Sequence, residues 1–119
     1  MEHNNDFINL INDIKDEVKE LTVLDLKDKI KNNKEFYLVD IREDNEVKSG
    51  IIKNAIHLSK GIIERDINKL IPNKDAEIIL YCSGGYRSIL AAYNLNRMGY
   101  RTVYSMKGGL KSWIDSLQD

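Results

Sequence analysis

The chain has 119 residues, 42% of them hydrophobic and 31% charged, which is enough for one apolar core and too short for two domains of ordinary size. Its 18 Lys and Arg nearly balance 19 Asp and Glu, so no overall field draws nucleic acid or an anionic membrane, and neither is expected as a partner. With one cysteine, Cys82, and two histidines, an internal disulfide framework and a cysteine-rich zinc site are excluded, and no metal or other cofactor is expected.

The first residues, Met1-Glu2-His3-Asn4-Asn5-Asp6, lack a basic start followed by an apolar run, so no secretion leader is expected. The longest apolar runs, such as Ile78 to Cys82, fall far below the ~20 residues that span a bilayer, and a cytoplasmic location is the expectation. Phe7, Leu10, Ile11, Ile14, Val18 and Leu21 recur at helical spacing, predicting an amphipathic helix over residues 1–21, capped near Asn5 or Asp6. It is expected to pack on, or extend, the domain formed by residues 22–119. His3 lies in this terminus and is assigned no role.

A second helix should follow at once. Thr22 and Asp25 have capping-box spacing, Val23, Leu26 and Ile30 share a face, and Asn32-Asn33 stops the helix. Phe36 to Asp40 is a short apolar run ending in an acid, the pattern of an inner parallel strand buried on both faces. Ile41 to Asn54 is polar and predicts a long loop with a helical turn around Asp44 to Lys48.

Ala55 to Leu58 predicts a short strand, and Ser59 should cap a helix carrying Ile63, Ile67 and Leu70 that Pro72 closes. His57, inside that strand, is read as a structural histidine. Glu77 to Cys82 is the strongest strand signal, and Ser83-Gly84-Gly85-Tyr86 breaks it before a helix from Arg87 to Met98 that Gly99 stops. Thr102 to Tyr104 gives another strand, Gly108-Gly109 a turn, and Leu110, Trp113, Ile114 and Leu117 a closing helix. The alternation predicts an α/β domain with a mostly parallel sheet and helices on both faces.

In an open parallel sheet, ligands bind beyond the carboxyl ends of strands, where Asp40 and Cys82 are expected. The segment Cys82-Ser83-Gly84-Gly85-Tyr86-Arg87-Ser88 sets a thiol at a strand end, two glycines in a tight loop and an arginine at the head of a helix. Glycine permits positive φ, so successive N–H groups can turn toward the sulfur and form an anion nest. The helix start adds unpaired N–H groups and the positive end of its dipole. Arg87 adds a permanent cation. All three favour a negative sulfur, which would make Cys82 a nucleophile with no neighbouring base.

Four motifs in order and spacing resemble the single-domain rhodanese-like family between about Thr22 and Trp113. Leu38-Val39-Asp40-Ile41-Arg42-Glu43 is similar to its D-[VI]-R-E element, and Gly50 to Ile56 to its G-H-I-x-G-A-[IV] element. Cys82 to Ser88 is similar to C-x-x-G-x-R-S, and Lys107 to Trp113 to the closing G-G-x-x-x-W. Ile51 departs from the usual His, and Lys53-Asn54 from a common Pro-Gly, which puts loop geometry or a partner contact in question rather than the chemistry.

The resemblance implies a rhodanese-like fold and sulfur transfer: the Cys82 thiolate takes the outer sulfur of a small anionic donor such as thiosulfate and passes it, as a persulfide, to a thiol, cyanide or a partner protein. It implies that the backbone of Ser83, Gly84, Gly85, Tyr86, Arg87 and Ser88 cradles the persulfide. Arg87 would position the donor, Ser88 would add a hydroxyl donor, and Asp40 and Arg42 would be scaffold, with Asp40 accepting hydrogen bonds near the loop. A monomer or weak dimer is expected. A persulfide carrier or sensor without catalysis is the alternative from another class. A phosphatase or arsenate reductase of this fold is a lesser one, because only four residues separate Cys82 from Arg87 and the cradle suits a single sulfur better than a tetrahedral oxyanion.

Overall fold

The computed structural model describes residues 3–118. Five strands form one sheet: β1 (Lys19–Leu21), β2 (Tyr37–Asp40), β3 (Ile56–His57), β4 (Glu77–Tyr81) and β5 (Thr102–Met106). Their order is β1-β5-β4-β2-β3, and every pairing is parallel. Among the described residues, six α-helices accompany them: α1 (Asn5–Ile14), α2 (Val23–Lys31), α3 (Asp44–Val47), α4 (Ile63–Leu70), α5 (Arg87–Arg97) and α6 (Gly109–Ser116).

Both faces of the sheet are covered, and β4 shows why its sequence is almost wholly apolar. Successive side chains of a strand point to opposite faces. Ile78 and Leu80 enter a core shared with α1, α4 and α5, while Ile79 and Tyr81 enter a second core with α2 and α6. The same rule separates Val39 from Leu38 in β2. Tyr37, at the start of β2, remains 40% exposed, so that strand is buried on both faces only from Leu38 onward.

The N-terminal helix is shorter than its periodicity predicts. α1 ends at Ile14, a 3₁₀ turn spans Lys15–Glu17, and Val18 is already extended. Lys19–Leu21 then pairs with Tyr104 to Met106 as the edge strand β1. The apolar positions of a strand entered from a turn happened to continue the helical phase, and pairing to β5 decided between them. Thr22 caps α2 as expected, its hydroxyl accepting from Asp25 N at 3.1 Å while Asp25 accepts from Thr22 N at 2.9 Å.

Ser59 does not cap the following helix. Its carbonyl accepts from Ile62 N in a turn, and α4 starts at Ile63 with no side-chain cap. α1 itself is capped by Asn4, whose side-chain oxygen accepts from Phe7 N at 2.7 Å. No described helix is long and apolar enough to cross a membrane.

Candidate active site

Cys82 follows the last residue of β4, and α5 starts at Arg87, so the loop joins the carboxyl end of the central strand to a helix N-terminus. Cys82 is buried, with its sulfur in reach of two polar groups. Gly85 N donates to Sγ at 3.2 Å. The Ser88 hydroxyl lies 3.5 Å from Sγ, and Ser88 Oγ is 2.7 Å from Ser105 Oγ. Ser88 and Ser105 are fully buried, so the Ser105 hydroxyl depends on Ser88 for its partner, while Ser88 also meets the sulfur.

Two glycines in this loop were expected to share one role, and they do not. Gly85 has φ +96°, and a Cβ there would lie 3.0 Å from Gly108 N and 3.3 Å from Met106 O. Gly84 has open space around it and no positive φ, so its lack of a side chain is not a requirement of the backbone. The glycine that matters more is distant in sequence. A Cβ on Gly109 would meet Cys82 O and Ser83 O, because the head of α6 packs directly on the loop. There Leu110 N donates to Cys82 O at 2.8 Å and Lys111 N to Ser83 O at 3.1 Å. Two α6 N–H groups thus hold those carbonyls outward, away from the sulfur side of the loop.

Arg87 is engaged by a residue that sequence reasoning missed. Its Nη1 donates to Glu46 Oε1 at 2.7 Å and its Nη2 to Glu46 Oε2 at 3.0 Å, with Ser83 Oγ 3.2 Å from Nη2. Ser83 Oγ in turn donates to Glu46 Oε2 at 3.0 Å. The bonds to Arg87 are the main cause holding the Glu46 carboxyl down from its ordinary 4.5 to about 2, and the same bonds push Arg87 further up. The Glu43-x-x-Glu46 spacing was the available signal: Glu43 N donates to Glu46 Oε1 at 3.0 Å, the reciprocal half of a capping box on α3.

Asp40 and Arg42 act one step further out. The buried Asp40 carboxylate accepts from Arg42 N, Nε and Nη2 at 2.8 to 3.1 Å, so its bonds go to Arg42 and not to the cysteine loop. The guanidinium continues to Gly50 O at 2.8 Å and Glu46 O at 3.3 Å, fixing the backbone of the loop that carries Glu46. His57 holds Arg42 O at 2.8 Å, and Ile52 N donates to Tyr81 OH at 3.0 Å. Ile51, in the same segment, is 42% exposed.

A cavity of about 280 Å³ opens over the sulfur. Its walls are loop residues 82–84 with Tyr86 and Arg87, joined by Lys111 from α6 and His3 from ahead of α1. Sequence reasoning gave neither Lys111 nor His3 a place, since nothing local marks either one as close to Cys82. Larger hollows lie elsewhere, one of about 690 Å³ at the amino ends of β2 and β4 around Tyr37 and Glu77, at the end of the sheet opposite Cys82.

Residues 22–116 match the model of the Rhodanese-like domain family. The chain is 38% identical over 97 residues to the Bacillus subtilis protein named "Putative sulfurtransferase YtwF", covering 82% of this chain and 91% of that one. It is 32% identical over 96 residues to a protein of Allochromatium vinosum named sulfurtransferase, covering 81% and 88%. Among solved structures, a protein of unknown function from Rhodopseudomonas palustris, described as a possible tyrosine phosphatase, superposes with a TM-score of 0.86 at 25% identity. That match covers 98% of this chain and 94% of the other, so it takes in the N-terminal helix that the family model leaves out.

Proposed function

The chain belongs to the rhodanese-like domain family, and on that footing we propose that it is a sulfurtransferase that carries a sulfane sulfur as a persulfide of Cys82. One observation carries the reading: a backbone N–H, that of Gly85, points at the sulfur from 3.2 Å in a loop bent around it at the head of a helix. Fixed N–H dipoles of this kind stabilise a negative sulfur without reorganising when charge moves onto it.

In the first step the Cys82 thiolate attacks the outer sulfur of thiosulfate. The new Sγ–S bond forms as the S–S bond of thiosulfate breaks, and the electron pair leaves on sulfite. The negative charge then sits on the terminal sulfur of the persulfide, within the ring of N–H groups that the loop and the first turn of α5 present. In the second step an acceptor thiolate attacks that terminal sulfur, an acceptor persulfide forms, and the Cys82 thiolate is regenerated. Arg87, held by Glu46, supports the loop and lends positive charge at the cavity wall where the donor enters. Asp40 and Arg42 position the segment that carries Glu46.

The cationic side chains in the cavity wall, Arg87 and Lys111, support a small anionic donor. Intact-protein mass spectrometry after exposure to thiosulfate tests the reading. The expected result is a gain of one sulfur atom, reversed by a reducing thiol and absent in Cys82→Ala. No gain, or an equal gain in the alanine variant, overturns it. Steady turnover of an aryl phosphate that is lost in Cys82→Ser would put a phosphatase in its place.

A further inference from the structure

Residues 1–21 lie outside the span matched by the family model, yet this segment reaches the cavity over the thiol. Local chemistry fixes its course. The Asn4 side chain caps α1 by accepting from Phe7 N, and the ring of the preceding residue, His3, packs 4.9 Å from the Phe7 ring. The His3 ring also meets Tyr86 of the cysteine loop edge-on, at 5.0 Å and 64°. Below this contact, Ile11 and Ile14 share a buried core with Ile89 and Ala92 of α5, the helix whose head forms the cradle. α1 is therefore packed on the helix that carries the site, and His3 stands where the two meet at the cavity.

We propose that His3 is a specificity-determining wall of the donor pocket, its ring narrowing the mouth above Cys82 so that donors with a small leaving group enter and donors with a bulky organic leaving group are held back. The choice of donor rests on the sulfurtransferase reading, while the narrowing rests on geometry alone. Three facts support it. The ring is in contact with two aromatic rings, Phe7 of α1 and Tyr86 of the cysteine loop, it lines a cavity that Cys82 also lines, and Cys82 itself is only 1% exposed. Tyr86, which the His3 ring meets, is itself 40% exposed, so this contact lies at the solvent-facing rim of the loop.

Two donors separate the effect of bulk from that of chemistry. Thiosulfate and benzenethiosulfonate both yield their outer sulfur to the thiolate, one releasing sulfite and the other benzenesulfinate, with the electron pair of the broken S–S bond leaving on each. In the full chain, His3→Ala should lower the ratio of kcat/KM for thiosulfate to that for benzenethiosulfonate several-fold, through KM. His3→Phe, which keeps the ring and removes its nitrogens, should restore the ratio. A second readout needs no sulfur transfer: alkylation of Cys82 by neutral iodoacetamide and by the bulkier N-ethylmaleimide. His3→Ala should speed both, the bulkier reagent more, and His3→Phe should return both to the wild-type rates. Unchanged alkylation rates and an unchanged donor ratio in His3→Ala, with an unaltered thermal midpoint, overturn the proposal. Failure of the wild-type protein to take sulfur from either donor would overturn the sulfurtransferase reading instead, and the alkylation series would still decide the wall.

Discussion

Arg87 turns both ends of its guanidinium to Glu46, at 2.7 Å and 3.0 Å, so the arginine of the cysteine loop is anchored to a short helix from the segment after β2. This fork is a common geometry for strong carboxylate pairing and leaves Arg87 one orientation. Glu46→Gln should lower stability by about 1 kcal/mol, the pair being partly open to solvent, and should slow sulfur uptake by loosening the loop. The pH dependence has a definite sign. The folded carboxyl lies at about 2 against an ordinary 4.5, so its contribution is complete above the ordinary value and is lost as pH falls through the folded one. Urea unfolding of wild type and Glu46→Gln should show a constant difference at neutral pH that shrinks as pH falls from about 4.5 toward about 2.

Asp40 and Arg42 make the second pair, and theirs is buried. Removing one partner leaves a desolvated charge and cuts the bonds that fix the Glu46 segment. Arg42→Met should cost about 3–5 kcal/mol in denaturant unfolding. A cost under about 1 kcal/mol would mean the surrounding loop reorganises to admit water.

Gly84 and Gly85 should part company on substitution. Gly85→Ala forces a side chain into a positive-φ position against the Gly108 backbone, and should destabilise by about 1–3 kcal/mol and abolish most sulfur uptake. Gly84→Ala meets open space and should stay within about 0.5 kcal/mol of wild type. Thermal unfolding and persulfide mass spectrometry on both variants check this.

Ser88 bridges the sulfur and Ser105. Ser88→Ala strands a buried Ser105 hydroxyl, at a cost of about 1–3 kcal/mol, and should slow sulfur uptake. The double variant with Ser105→Ala should cost less than the two single changes added together, because it removes both members of the pair. Additive costs in a double-mutant cycle would show that the two hydroxyls act independently.

Much of the fold was legible because its signals are local. Apolar runs ending at Asp40 and Cys82 mark parallel inner strands, and Thr22-x-x-Asp25 marks a helix start. Val18 and Leu21 misled because a turn and a three-residue strand happened to keep helical phase, and only pairing with β5 resolves that. Ser59 misled for a related reason: a residue suited to capping was used in a turn, four positions before the helix began.

The site divides along the same line. The order Cys82, glycine, Arg87, Ser88 is contiguous, and the physics of a thiol beside glycine and a helix start can be read from one segment of chain. Glu46, Ser105, Lys111 and His3 could not be found that way. Each reaches the site from another element, and a carboxylate or a lysine in a charged sequence looks like solvated surface until its partner is known.

By itself, then, the sequence determined the place of the thiol at a strand end, the glycine bend that turns a backbone N–H to it, and the parallel α/β frame, since all of these follow from residue type and short-range spacing. Only the tertiary structure decided which groups share the loop's charges and close its mouth. Arg87 is paired by α3, the carbonyls of Cys82 and Ser83 are turned outward by α6, and the cavity is walled by a residue from ahead of α1. Those contacts join residues far apart in the chain, and the packing of the helices on the two faces of the sheet is what brings them together.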